Sequence, residues 1–141
     1  MNAAPSSLLQ DIMYYHSFVV LGFGGYLVVG PTVEFPIISS YVKEPREVLV
    51  TRNWGAVLMA LGYVLQCAPT YYDAAAQKEL GTVLTGVWAL MAVSNLYSLT
   101  QTLVATKDND KYARDRFWVQ GDLALFVTLT VAYAAGVYYA E

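Results

Sequence analysis

The sequence contains very few of the residues that build catalytic and metal sites. It has one cysteine, Cys67, and one histidine, His16. A single cysteine excludes an intrachain disulfide and argues against a cysteine-based metal cluster. One histidine cannot supply a pair of haem ligands. A phosphate-binding loop, paired intramembrane carboxylates and an activated-serine motif are also absent from the sequence. We therefore expect a chain that is not an enzyme and that carries no cofactor.

Charged side chains are missing from four long stretches, each at least 18 residues in length. These stretches are residues 12–33, 53–72, 80–106 and 123–140. About 20 apolar residues in a helix cross a hydrocarbon core of about 30 Å. Backbone groups in lipid must bond within their own segment, so the stretches are expected to be helices rather than strands. A soluble protein of 141 residues could not cover four such segments.

The fold class predicted from this pattern is an all-α integral membrane protein, a four-transmembrane-helix bundle that forms one domain over 1–141. The Gly30-Pro31 pair is expected to end helix one, and Pro69 to stop helix two. Helix one contains three glycines at which another helix could approach closely, namely Gly22, Gly24 and Gly25. The expected helices cover residues 12–29, 48–68, 74–106 and 117–139.

The eight basic residues are distributed unevenly among the loops. Seven lie in or beside the first and third loops: Lys43, Arg46, Arg52, Lys107, Lys111, Arg114 and Arg116. Only Lys78 lies in the second loop. The positive-inside rule places loops one and three on the cytoplasmic, matrix or stromal side, and both termini on the opposite, outer side. The net charge of −3 is small, and it implies no nucleic-acid partner.

Helix four carries small residues at every fourth position. They are Ala124, Thr128, Ala132, Gly136 and Ala140. Such a ridge lets two helix backbones approach in lipid, so it predicts a packing face for another helix. Whether that helix lies in the same chain or in a partner subunit is left open.

Helix three has polar residues near its middle, spaced mainly three, four and seven apart. Asn95, Ser98 and Gln101 are the members expected to be buried, with Ser94 and Thr102 nearby. Interhelical hydrogen bonds, worth about 0.6–2 kcal/mol each, are the favoured interpretation of this stripe. The alternative interpretation of the stripe is a ligand site or a solute path.

Three arginines and one aspartate stand at the inner ends of the helices. Arg52, Arg114 and Arg116 could bind an anionic phospholipid such as cardiolipin. Alternatively, Arg52 could pair with Asp122, which lies near the start of helix four where an anion is favoured. His16, expected about one turn inside the outer interface, could contact a pigment, a quinone or a lipid headgroup. A structural hydrogen bond is the favoured role for this histidine.

The segment Arg52-Asn53-Trp54-Gly55, followed by an apolar helix with Gly62, resembles the start of helix two in small four-helix membrane families. These are the DoxX-like group and the ergosterol-biosynthesis scaffold family. The stretch from Val83 to Thr106, with Trp88 and Asn95, is similar in layout to their third helix. The resemblance covers helices two and three and implies a non-catalytic module that scaffolds or accompanies membrane enzymes.

The sequence thus favours an accessory subunit of a larger membrane complex, in contact with other membrane subunits and phospholipid. No soluble substrate is evident. The leading location is the mitochondrial inner membrane, in a respiratory or ATP-synthase complex, ahead of the thylakoid and the endoplasmic reticulum. The alternative is a small transporter or a lipid-, quinone- or pigment-binding protein that uses the polar face of helix three.

Overall fold

The computed structural model describes residues 7–33, 45–105 and 113–140, with side chains over 7–30, 45–46, 48–100 and 119–140. Over these residues the secondary structure is entirely helical. The helices are α1 (Leu8–Val33), α2 (Pro45–Tyr71), α3 (Ala74–Ala105) and α4 (Ala113–Tyr138). Each helix contains a stretch long and apolar enough to cross a membrane, of 23, 24, 27 and 20 residues in chain order. The prediction of four membrane-spanning helices is confirmed to that extent, and it indicates an integral membrane protein.

Pro31 and Pro69 do not end their helices as predicted from the sequence. Helix α1 continues through Gly30-Pro31 to Val33, and α2 continues past Pro69 to Tyr71. A proline removes one backbone hydrogen bond and crowds the carbonyl four residues earlier. Each proline is followed by only two helical residues, so few backbone hydrogen bonds are affected. Prolines are also tolerated in membrane helices.

Three of the helices begin earlier than expected, whereas α3 begins at Ala74 as predicted. Helix α1 starts at Leu8, directly after Ser7, and the order Ser7-Leu8-Leu9-Gln10 matches the pattern of a capping box. Helix α2 starts with Pro45, whose fixed backbone angle suits the first helical position. Helix α4 starts at Ala113 rather than at residue 117. The predicted helices begin with the uncharged stretches and therefore leave out the polar first turns of these helices.

The helices form two compact units. One unit holds α1 from Gln10 onward and α2, and the other holds α3 and α4 together with Ser7–Leu9, where α1 begins. In each unit the two helices pack antiparallel. Gly55 and Gly62 of α2 contact Gly24 and Leu21 of α1, and Lys78 and Gly81 of α3 contact Ala140 and Val137. The expectation of one domain over the whole chain stays a prediction.

Candidate helix-packing and lipid-facing surfaces

Helices α1 and α2 touch through their backbones at two glycines. A Cβ added to Gly24 would lie 2.8 Å from the carbonyl oxygen of Gly55 and 2.9 Å from the amide nitrogen of Met59. A Cβ added to Gly55 would lie 2.7 Å from the carbonyl oxygen of Gly24. In both directions a Cα hydrogen therefore faces a carbonyl across the contact, an arrangement seen at close helix–helix interfaces. Only glycine fits at these two positions.

The contact extends along both helices and forms the α1–α2 seam. It is formed by Leu21, Gly24 and Val28 of α1 and by Gly55, Met59 and Gly62 of α2. Gly62 admits the side chain of Leu21, whose Cγ would lie 2.6 Å from an added Cβ. Gly22 and Gly25 have nothing within 4 Å of such a Cβ. Of the three glycines expected to permit close approach, Gly24 is the one that the seam uses.

Helices α3 and α4 contact each other through side chains. The rings of Trp88 and Phe126 stack with centroids 5.6 Å apart. A Cβ on Gly81 would lie 2.8 Å from Cγ2 of Val137 and 3.0 Å from Cδ1 of Leu9. Lys78 donates from Nζ to the carbonyl oxygen of Ala140 at 3.1 Å. Lys78, which lies in α3 near the second loop, therefore caps the end of α4, where a cation is favoured.

The small-residue ridge of α4 does not face in one direction. Gly136 is buried and Ala132 and Ala140 are half-buried, whereas Ala124 and Thr128 are exposed. A helix turns about 100° per residue, so a step of four residues advances about 40° around the axis. Over the three steps from Ala124 to Gly136 the ridge turns by about 120°, which carries these two residues onto different faces. Ala140 lies beyond the end of α4. The ridge thus packs inside the chain at its C-terminal end and leaves a small-residue face exposed at its N-terminal end.

Two polar residues in the middle of α3 bond to carbonyls of their own helix. Nδ2 of Asn95 donates to the carbonyl of Met91 at 2.9 Å, and Oγ of Ser98 donates to the carbonyl of Ser94 at 2.9 Å. Asn95 is half-buried, but Ser98 is exposed instead of buried as expected. The side chain of Gln101 lies outside the described residues. The Asn95 amide thus makes a bond to the carbonyl one turn back, a common arrangement for polar side chains in helices, which favours a structural role for this residue.

Arg52 is half-buried, and its Nε is a buried atom with no hydrogen-bond partner among the described residues. It lies inside the apolar stretch of α2, which begins at Val48. The side chains of Arg114 and Arg116 lie outside the described residues. Asp122 is exposed. The expected pairing of Arg52 with Asp122 would join the two units and stays a prediction.

His16 is buried, with only 6% of its surface exposed, and it interacts within the protein. The next residue, Ser17, is fully buried, and its Oγ donates to the carbonyl of Tyr14 at 2.6 Å. A buried and engaged imidazole favours the structural role over contact with a pigment, a quinone or a headgroup.

Every helix exposes large apolar side chains. Tyrosines stand exposed at helix ends, among them Tyr71 and Tyr138, each 79% exposed. Such rings suit the headgroup level of a bilayer. Among the described residues no group of histidine, cysteine, aspartate or glutamate could hold a metal ion.

The comparisons with known proteins give this chain no relative. No known protein family, characterised protein or solved structure matches it. The resemblance to the DoxX-like and ergosterol-scaffold families therefore stays a prediction, carried by Arg52-Asn53-Trp54-Gly55 and Gly62. In the structure, Gly55 and Gly62 of that segment are packing positions of the α1–α2 seam.

Proposed function

We propose that the chain is a non-catalytic accessory subunit of a larger membrane complex. In this proposal the four helices form one transmembrane bundle, with both termini on the outer side and with loops one and three on the inner side. The proposed location is the mitochondrial inner membrane, in a respiratory or ATP-synthase complex, where the chain contacts other subunits and phospholipid such as cardiolipin.

The observation that carries the proposal is the exposed part of the α4 ridge. Ala124 and Thr128 are exposed, and Gly121, three residues before Ala124, has nothing within 4 Å of an added Cβ. Thr128 donates to the carbonyl of Ala124 at 2.8 Å, so the hydroxyl does not disturb an apolar contact. In lipid, helices associate through close packing at small residues. A face of this kind fits a helix of another subunit.

The alternative of a transporter or a ligand-binding protein depends on the α3 stripe. Nδ2 of Asn95 donates to a carbonyl of its own helix, and Ser98 is exposed. We therefore favour the accessory subunit.

The test is native electrophoresis of the tagged chain after gentle detergent extraction. The wild-type chain is expected to migrate with a large assembly, and Ala124→Leu is expected to release it because the larger side chain holds the second helix away. Ala134→Leu is the matched control, since Ala134 is exposed on the same helix outside the ridge. Migration of the wild type near its own 15.5 kDa, or as a simple homodimer, would contradict the proposal.

A further inference from the structure

Arg52 continues the spacing of the α1–α2 seam. On α2 the seam residues are Gly55, Met59 and Gly62, which are four and three residues apart. Three residues before Gly55 comes Arg52, on the same face of the helix. An arginine thus occupies the end of a seam whose other α2 positions are glycine or methionine. Its half-buried state agrees with this position.

The guanidinium at this position needs an oxygen ligand. Its Nε is buried and has no hydrogen-bond partner in the part of the chain that the structure describes. A charged donor left unsatisfied in a low-dielectric environment is costly. An ionisable side chain inside a membrane span is accordingly a strong candidate for a functional contact.

The depth of Arg52 favours a phosphate as that ligand. Arg52 lies four residues, about 6 Å along the axis, inside the apolar stretch that begins at Val48. A long arginine side chain can reach from there to the headgroup level. Trp54 is 44% exposed at the same end of α2, as expected of an interfacial ring. The planar fork of arginine matches the oxygens of a phosphate.

We infer that Arg52 binds the phosphate of an anionic phospholipid at the inner end of the α1–α2 seam. The inference rests on the proposed function in that it places the chain in a bilayer as a lipid-contacting subunit. It adds the residue that selects the lipid and the chemistry by which it does so.

The test measures lipid selectivity of the isolated full-length chain in phosphatidylcholine vesicles with 10% phosphatidylglycerol. Spin-labelled forms of the two lipids give their relative association constants. The wild type is expected to prefer phosphatidylglycerol, and Arg52→Gln is expected to lower that preference about fivefold, the usual effect of one basic side chain. Arg46→Gln removes the same charge at an exposed site of α2 and is expected to keep most of the preference.

Arg52→Lys keeps the charge without the planar fork, so it is expected to give an intermediate preference. Circular dichroism checks that each variant retains its helices. A wild-type preference in a helical Arg52→Gln variant would overturn the inference. Displacement of the labelled lipid by inorganic phosphate would overturn it as well, since the ligand would then be the free ion.

Native electrophoresis of the same variants separates this inference from the proposed function. If Arg52→Gln keeps its lipid preference but leaves the large assembly, the ligand is a carboxylate of a partner protein, and the lipid site is wrong while the subunit role stands. If the wild type shows the preference yet migrates alone, the lipid site stands and the subunit role fails.

Discussion

At the scale of single residues, the hydrogen atoms of Gly24 and Gly55 set how closely α1 and α2 approach. Gly24→Ala and Gly55→Ala are each expected to lower the free energy of unfolding by about 1–3 kcal/mol, because the new Cβ meets rigid backbone atoms under 3 Å away. Equilibrium unfolding in mixed micelles of mild detergent and dodecyl sulfate measures the change.

Gly22→Ala is the matched control on the same helix. Its added Cβ meets nothing within 4 Å, so the variant is expected to be neutral or up to about 1 kcal/mol more stable, because alanine favours the helix. Equal losses in Gly22→Ala and Gly24→Ala would refute the seam.

The sequence could indicate that helix one has glycines for close packing, but it could not select among Gly22, Gly24 and Gly25. The selection depends on how α1 is rotated about its axis against Gly55 and Met59, which is a property of the pair of helices. The sequence does give a signal for the α2 side of the contact. Gly55 and Gly62 are seven residues apart, which places both glycines on one face of α2.

At the scale of helices, the contact between Gly81 and Val137 offers a rescue experiment. Gly81→Ala is expected to cost about 1–3 kcal/mol of unfolding free energy, because its Cβ would lie 2.8 Å from a methyl of Val137. Val137→Ala alone is expected to cost about 1 kcal/mol through lost packing. The double variant is expected to lose less than the two losses added, since each change removes the clash or fills the space left by the other.

The same unfolding measurement evaluates this cycle, and Gly86→Ala serves as its control on α3 because nothing lies within 4 Å of its added Cβ. Strictly additive losses would show that Gly81 and Val137 do not meet.

The polar residues of α3 give a second prediction at this scale. Ser98→Ala and Asn95→Leu are each expected to change the unfolding free energy by less than about 1 kcal/mol, because the hydroxyl and the amide bond carbonyls of their own helix. Thr85→Val, which removes a similar bond to the carbonyl of Gly81, provides the comparison. A loss of 2 kcal/mol or more at Asn95 or Ser98 alone would point to a partner or ligand and would favour the alternative function.

The sequence predicted four helices correctly because uncharged stretches of this length have one stable form in lipid. It misplaced the ends of α1 and α2 because proline close to a helix end costs little, as Pro31 and Pro69 show. It treated the α4 ridge as one face because a spacing of four is close to one turn. The difference from 3.6 residues per turn separates Ala124 from Gly136.

At the scale of the whole molecule, the uneven distribution of lysine and arginine predicts an orientation in the membrane. Labelling of single introduced cysteines can test that orientation. Cys67 is the only cysteine, so Cys67→Ala provides a background without thiols. In that background, Lys43→Cys and Asn109→Cys place a thiol in loops one and three, and Glu79→Cys places an exposed thiol beside loop two. A membrane-impermeant maleimide applied to sealed vesicles of known orientation is expected to label Lys43→Cys and Asn109→Cys from the inner side only. It should label Glu79→Cys from the outer side only, because basic loops are retained on the inner side during insertion.

Detergent-opened vesicles, in which all three variants should react, control for thiol reactivity. Labelling of all three from one side would contradict the four-span topology, whereas the reverse pattern would keep four spans and contradict the orientation.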